Sequence, residues 1–498
     1  MTRSFRDTAL RGAHLASAGW ALTQALNFAA YLVLARLISP ASFGHFAEAS
    51  VVTGVGALFA ESGMMAALIH RNDRLDEAAS TAAVATFLTG LVLCPAAAAT
   101  APLLGLLFHS GEVTALALAL SGWLLLRALT VVPDALLQRR FSFLRRVVVE
   151  PLGVAAFAVT SIVLASHGHG AWALVAGTYA AMTAQVVSAW AFVRWRPRLH
   201  LASIAMWREL VGYARHVFAS ELLRRSASQV DVLSLGSVAS AGAVGQYRNG
   251  LRLARQPHDG WVQVAAYVLL PTFARMRDDP VRFRAAVQQT TATMFMVVAP
   301  LVAMLVAVGH PATMLALGRQ WSEAGYVVMA LAGFVAGGTF VSLASEVLKA
   351  AGRPQLLVRT HVATLLTTCA CVPALAWLGP VGAALGVSLS TVLTAGYVAW
   401  LLRAAVAIRW GAIARAAFHP YAAAAGAAVV SFAIGGRLEP ESADNVTAGA
   451  AVLAMVAAGS VTYLALLRVL DPTSMARLRA LVPGSTQDAD ASPTGATT

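Results

Sequence analysis

The sequence predicts an all-α integral membrane protein of about fourteen transmembrane helices, arranged as two six-helix parallel repeats plus two C-terminal helices. Three observations carry that reading. Of 498 residues, 58% are hydrophobic and 12% charged, against roughly 25% charged in soluble domains. The apolar residues gather in runs of about 20, the length a helix needs to cross a bilayer. Basic residues then alternate from gap to gap: 26 of the 36 Lys and Arg lie in every second gap, and only Arg319 and Arg437 lie in the gaps between. Because Lys and Arg are retained in cytoplasmic loops, this alternation sets the orientation, with both termini cytoplasmic.

In chain order the helices centre near Asn27, Val55, Leu91, Leu124, Ala158, Met182, Leu222, Val262, Met296, Gly333, Leu365, Leu389, Gly426 and Met455. The first apolar run, 13–38, lacks a short h-region followed by a cleavage site, so it reads as a spanning helix rather than a signal peptide. The basic gaps are the N-terminus (Arg3, Arg6, Arg11), residues 70–74, 138–146, 194–208, 275–284, 349–359, 403–415 and the C-terminus (Arg468, Arg477, Arg479). The opposite gaps are short and rich in Gly, Pro and Ser, as at Ser39-Pro40-Ala41-Ser42 and Leu378-Gly379-Pro380. The longest, 436–445, is too short to hold a soluble catalytic domain. After Pro483 the chain turns polar without an apolar period, which predicts a disordered tail.

Three matches recur in order with a slowly growing offset. Phe43-Gly44-His45-Phe46 aligns with Val244-Gly245-Gln246-Tyr247 at 201, Leu137-Gln138 with Leu348-Lys349 at 211, and Gly170-Ala171 with Gly382-Ala383 at 212. Each is weak alone; together they argue for two six-helix halves. Six is even, so the halves are parallel repeats about an axis along the membrane normal. The expected organisation is an N-terminal lobe over 1–200, a second lobe over 201–405, two added helices over 406–470, and a cytoplasmic tail over 471–498.

Charge and composition narrow the function classes. The pI near 10.6 suits anionic lipid headgroups, since 35 of the 36 basic residues are Arg, mostly in short loops beside apolar runs. Nucleic-acid binding would need a polar basic face with interleaved aromatics, which is lacking. Cys94, Cys369 and Cys371 lie in apolar segments without CxxC spacing and read as small apolar fillers, so no metal or cofactor is expected. His167-Gly168-His169-Gly170 reads as a plain turn, two His alone being a weak metal signal. The sequence has no carboxylate pair on an outer loop, no DxD-like motif beside a helix end and no Walker loop. Glycosyl transfer and ATP hydrolysis therefore have no site.

Charges at membrane depth are the candidate functional residues. Helices seven and eight hold eleven ionisable side chains, although an ionised group costs at least about 2.5–3.5 kcal/mol in a bilayer on insertion scales. Arg248, Arg252 and Arg255 follow i, i+4, i+7 spacing and so share a face, which His258 continues. Glu221, Arg224 or Arg225, Ser228 and Asp231 repeat similarly on helix seven, with Arg215 and His216 one or two turns earlier. A bland alternative pairs Arg224 with Glu221 and Asp231 with an Arg of helix eight, the end residues snorkelling to headgroups. With Asp259 counted, the six Arg outnumber the three carboxylates, so a water-filled cavity there would attract an anion. Arg suits phosphate through its planar, permanently charged fork. Arg36 and Arg127 read as interfacial anchors or membrane-depth charges. Glu61 and Glu346 are candidate proton or Na⁺ sites, or partners for an Arg.

Several stretches resemble the Wzx-like polysaccharide (O-antigen and exopolysaccharide) flippases of the multidrug/oligosaccharidyl-lipid/polysaccharide exporter superfamily. In the first half they are LARLISPASFGHFA from Leu34, GMMAALIHR from Gly63, PDALLQRRFSFLRR from Pro133, GAWALVAG from Gly170 and WRPRL from Trp195. In the second they are RRSASQVDVLSLG from Arg224, VGQYRNGLRLARQP from Val244 and LKAAGRP from Leu348. The resemblance implies a two-lobed, MATE-like fold around a central cavity. It also implies an undecaprenyl-diphosphate-linked oligosaccharide carried between leaflets of the bacterial inner membrane by alternating access, with a polysaccharide polymerase among its partners. The positions matching a cationic cavity are Arg224, Arg225, Arg248 and Arg252. Two adjacent Arg on helix seven depart from the usual pattern and leave open which one faces the cavity.

The rivals are a lipid II flippase, which would meet the same diphosphate, and a cation-coupled exporter, disfavoured by fourteen helices and a positive cavity. A membrane glycosyltransferase or polymerase is a different class and would need a long outer loop bearing carboxylates or an Arg-rich catalytic loop.

Overall fold

The computed structural model describes residues 3–61, 63–71, 73–139, 145–353, 355–408, 410–438, 440 and 444–472. The predicted tail beyond 472, part of the outer gap 436–445 and the side chains of Arg3, Arg6, Arg11 and His216 lie outside what is described. All regular structure among the described residues is helical.

The helices are α1 (Arg3–Leu37), α2 (Pro40–Glu61), α3 (Met64–His70), α4 (Leu75–Leu107), α5 (Gly111–Ser121), α6 (Trp123–Arg139), α7 (Glu150–Ser166), α8 (Gly170–Val193) and α9 (Ile204–Ala227). They continue as α10 (Val230–Gly236), α11 (Ala241–Arg275), α12 (Pro280–Leu317), α13 (Ser322–Ala330), α14 (Ala332–Ala350), α15 (Gln355–Ala376), α16 (Gly379–Val406), α17 (Trp410–Leu438) and α18 (Asn445–Leu470). Among the described residues nine helices are long and apolar enough to cross a membrane, or ten when the pair bent by 46° around α13 and α14 counts as one. Those ten, with α1, α8, the α9–α10 pair and α11, are compatible with the fourteen predicted positions. The last group has a physical reason for its lower hydropathy: α9 and α11 carry the charge cluster, α1 is polar in its first half, and α8 carries Thr178, Tyr179, Thr183, Gln185 and Ser188.

Two compact units are distinguishable. The first comprises Met1–Asn249, Ala316–Trp321 and Thr368–Ala383; the second comprises Gly250–Leu315, Ser322–Thr367 and Ala384–Thr498. In the first, α2 lies at the centre and packs on α4, α5, α6, α8, α9 and α10. Its helices meet through small residues: α4 buries Ala78, Ala79, Ala82, Gly90, Ala97 and Ala101 while exposing Leu88, Leu91, Val92, Leu103 and Leu106. Small side chains inside and large ones outside is the arrangement lipid favours, since tails solvate Leu as well as a core does and close backbone approach drives association. Thr86 and Thr89 return their hydroxyls to the carbonyls of Ala82 and Ala85 at 2.9 and 2.8 Å, so these polar groups need no water.

The first unit also contains a reciprocal contact between the two stretches that match at an offset of 201 in the sequence. A Cβ on Gly44 would overlap the carbonyl of Ala241, and a Cβ on Gly245 would overlap the carbonyl of Pro40. The pairs 40 with 241 and 44 with 245 share the offset of 201 read from the sequence. The contact is therefore self-complementary, as a twofold requires: α2 and α11 begin by crossing backbone against backbone, and glycine at both positions permits it.

In the second unit α12 packs on α17 and α18 through Met296, Ala299, Ala303, Ala423, Ala427 and Leu467. Tyr463 donates to the Met296 carbonyl at 2.6 Å and Ser431 to that of Met455 at 2.9 Å. A second cluster joins Phe273, Val287, Phe295, Phe340, Val347, Val398 and Leu402 from α11, α12, α14 and α16.

Candidate functional site

The structure gathers five predicted or membrane-depth charges into one network in the first unit. Ser203 caps α9 by accepting from the Met206 N–H at 3.1 Å. Toward the other end of the same helix, Glu221, Arg224 and Arg225 follow i, i+3, i+4 spacing and so lie side by side. Arg224 Nε donates to Glu221 Oε2 at 2.8 Å, and Arg225 Nε donates to Glu221 Oε1 at 3.0 Å. Arg225 also reaches Glu61, at the end of α2, at 3.6 Å. From α6, Arg127 donates to the same Glu61 oxygen through Nε at 3.1 Å and Nη2 at 2.5 Å, and to Thr130 Oγ1 at 2.8 Å. Three guanidinium groups thus share two carboxylates, leaving one positive charge uncompensated. Arg224, with 56% of its side chain exposed, is the outermost cation; Glu61 and Arg127 are each 20% exposed.

The remaining predicted residues are distributed as follows. Arg215 is exposed on α9. Asp231 is buried on α10 and accepts from the Tyr247 hydroxyl at 2.7 Å and the Val232 N–H at 2.8 Å, so it is satisfied by a hydroxyl and an amide rather than by an Arg of the next helix. On α11 the stripe forms along one helix: Arg248, half-buried, belongs to the first unit, and Arg252, exposed, and Arg255, half-buried, belong to the second. Arg255 has its guanidinium 5.6 Å from the centre of the Phe334 ring, a cation–π distance, and its buried Nε has no hydrogen-bond partner among the described residues. His258 continues the stripe, 3.3 Å from Thr339 Oγ1 and 5.3 Å between ring centres from Phe334. Glu346 binds Lys349 one turn on, at 2.7 Å.

The His-Gly-His-Gly segment is a turn. His167 Nδ1 lies 2.7 Å from the Val163 carbonyl and His169 Nδ1 3.2 Å from that of Leu164, so the rings close the end of α7. Gly168 and Gly170 sit at φ 82° and 48°, where a side chain would be strained.

Three groupings escaped the sequence reading. Arg71 and Arg74 meet Glu209 at 3.0 and 3.2 Å, tying the α3–α4 connection to the start of α9. His45 Nδ1 lies 2.9 Å from Glu112 Oε2. Glu48, one turn beyond His45 on α2, is 1% exposed, and its Oε2 has no hydrogen-bond partner among the described residues. The available signal was helical spacing: His45 and Glu48 are i and i+3, and Glu48 is i+4 from Gly44 on the face that crosses α11.

Comparison with known proteins adds the following. The polysaccharide biosynthesis protein family matches residues 33–325, more than half of the chain. The succinoglycan biosynthesis transport protein ExoT of Rhizobium meliloti (strain 1021) is 26% identical over 319 residues, 63% of this chain and 64% of that protein. The lipopolysaccharide biosynthesis protein WzxC of Escherichia coli (strain K12) is 22% identical over 327 residues, 64% of this chain and 65% of that one. The chain thus spans just under two thirds of the length of these curated relatives. Among solved structures, the lipid II flippase MurJ in an inward closed conformation aligns with TM-score 0.73 at 13% identity, covering 93% of this chain and 99% of MurJ. An inward-facing multidrug resistance MATE family transporter of the MOP superfamily aligns with TM-score 0.62 at 17% identity, covering 77% of this chain and 94% of the other. Both likenesses show the MOP-type fold.

Proposed function

The chain belongs to the polysaccharide biosynthesis protein family, and on that premise we propose that it is a flippase. Its substrate is an undecaprenyl-diphosphate-linked oligosaccharide, moved from the inner to the outer leaflet of the bacterial cytoplasmic membrane. The observation that carries the reading is the network around Glu61 and Glu221, where three Arg share two carboxylates and Arg224 remains the exposed cation. A diphosphate offers the bidentate acceptors that such forks prefer. The proposed diphosphate-binding set is Arg215, Arg224, Arg225, Arg248, Arg252 and Arg255, with Glu221 orienting Arg224 and Arg225; Asp231, proposed from the sequence as part of the set, pairs with Tyr247 instead. For Glu61 and Glu346, a role in ion coupling would require release of Arg127 and Arg225, or of Lys349.

Both termini are cytoplasmic in this reading, from the alternation of basic gaps. Negative charge then moves outward down an inside-negative potential, at about 2.3 kcal/mol per charge per 100 mV. The protein makes no bond, so it is a transporter rather than an enzyme, acting beside the polymerase that consumes its product. The names of the two curated relatives place them in polysaccharide export or lipopolysaccharide synthesis, which favours an oligosaccharide over lipid II.

Deletion tests this. Full-length lipid-linked oligosaccharide should accumulate in the inner leaflet, whereas loss of a transferase or polymerase would shorten or abolish it. Normal delivery to the outer leaflet in deletion cells without a second flippase would refute the reading. Arg252→Ala should abolish export at unchanged membrane abundance, and Arg252→Lys should retain part of it.

A further inference from the structure

Glu48 is a buried ionisable group that the flippase reading leaves unused, and its surroundings explain why it is unusual. It lies two turns into α2, 1% exposed, with Oε2 unpartnered. Gly236 of α10 and Phe108 at the end of α4 close over it: a Cβ on Gly236 would stand 3.3 Å from Glu48 Oε1 and would overlap the Phe108 ring. Most of the charged and titratable side chains on the helices packed against α2 are engaged with partners other than this carboxyl, among them Arg139 on the Leu68 and Ile69 carbonyls and Arg224 on Glu221. On α6 and α9, Arg127 and Arg225 bind Glu61; on α10, Asp231 binds Tyr247; on α8, the Tyr179 hydroxyl donates to the Ala119 carbonyl. Cys94 of α4 is half-buried. On α5, Glu112 binds His45.

An enclosed carboxylate with no cation against it is among the costliest groups a membrane protein can hold. A carboxyl that carries a proton while enclosed, and loses it when wetted, removes that cost. A graded route to water runs from Glu112 on α5 to His45 on α2. Glu112 has 43% of its side chain exposed and His45 21%, the two in contact, and His45 precedes Glu48 by one turn on the same side of α2. Imidazole is suited to pass a proton between two carboxyl groups because its two nitrogens can accept on one side and donate on the other. One turn beyond Glu48, toward the start of α2, lies the glycine crossing of Gly44 on Ala241 and Gly245 on Pro40. Parting of α2 from α10 and α11 would open both that crossing and the Gly236 cover.

We propose that Glu48 is a proton-binding site, loaded and unloaded through His45 and Glu112 when the crossing of α2 and α11 opens. One proton moves per opening: His45, protonated from water through Glu112, transfers it to the Glu48 carboxylate, and the reverse transfer leaves Glu48 anionic and solvated. That this exchange faces the outer aqueous phase rests on the orientation proposed above; the proton site itself does not.

The test uses the full chain in lipid nanodiscs and reads the infrared carbonyl stretch of protonated carboxyl groups. The wild type should show such a band at neutral pH that moves when glutamate is isotope-labelled, which separates it from aspartate and needs no variant. Glu48→Gln should remove that band, and His45→Ala should keep it while slowing its hydrogen–deuterium exchange by at least about tenfold. A glutamate band that survives in Glu48→Gln, or the lack of any labelled band in the wild type, overturns the site. Unchanged exchange in His45→Ala overturns the route. Because these readouts involve no glycan, a deletion strain that exports normally would sink the flippase reading and leave the proton site standing.

Discussion

Glu61 and Glu48 sit on the same helix and have opposite environments. Glu61, at the last turn of α2, is 20% exposed and shared by Arg127 and Arg225. Glu48, nearer the start, is 1% exposed with an unpartnered oxygen. The sequence reading singles out Glu61 and passes over Glu48, yet packing encloses Glu48 more fully than Glu61. A carboxylate at membrane depth is held as a charge where helices α6 and α9 bring guanidinium groups to it, and is enclosed where α4 and α10 bring only a ring and a glycine. Partner chemistry on distant helices, rather than position along α2, divides the two roles.

Removing the shared carboxylate should have the largest effect. Glu61→Gln leaves the partly buried Arg127 without its counter-charge and Arg225 with Glu221 alone, and breaking such a pair costs about 3–5 kcal/mol when fully buried. Partial exposure reduces this, so a loss of about 1–3 kcal/mol is expected, measured as a lower unfolding midpoint in detergent. An unfolding midpoint equal to that of the wild type would mean that water already solvates both Arg, and the contrast with Glu48 would collapse.

Much of the fold was legible because it depends on local pattern. The apolar helix positions and the 201-residue offset need only hydropathy and spacing, and the offset reappears as the reciprocal contacts of Gly44 and Gly245. On α9, the pairing of Glu221 with Arg224 followed from i, i+3 spacing. What escaped was non-local. Nothing in the sequence tells that Arg127 meets Glu61 across 66 positions, or that Asp231 turns to Tyr247 instead of an Arg. Glu48 was overlooked because it stands a few residues from a short gap, where a carboxylate reads as interfacial. Only the cover supplied by Gly236 and Phe108 makes it a buried group.

The network itself should divide unequally. Arg127 meets Glu61 through two nitrogens, whereas Arg225 stands 3.6 Å away and leans on Glu221. A double-mutant cycle of Glu61→Gln with Arg127→Ala should give a coupling of about 1–2 kcal/mol, against about 0.5 kcal/mol or less with Arg225→Ala. Equal couplings would show that Glu61 serves both Arg alike and that the Arg127 geometry adds nothing.

The smallest change in stability is expected at the most buried carboxyl. If Glu48 carries a proton while enclosed, Glu48→Gln replaces one neutral planar group by another of nearly the same volume, and no partner loses a counter-charge. The unfolding midpoint should then move by less than about 1 kcal/mol equivalent in either direction, since only one further unpaired donor is added. An ionised Glu48 held by a bound metal cation predicts a different result. Substitution would remove the metal's ligand, and the wild type, but not the variant, would be stabilised by raising the concentration of that cation. Comparing Glu48→Gln and Glu61→Gln side by side therefore reads the charge on each carboxyl directly: a large loss marks the one that is paired and ionised, and a near-silent substitution marks the one that is neutral.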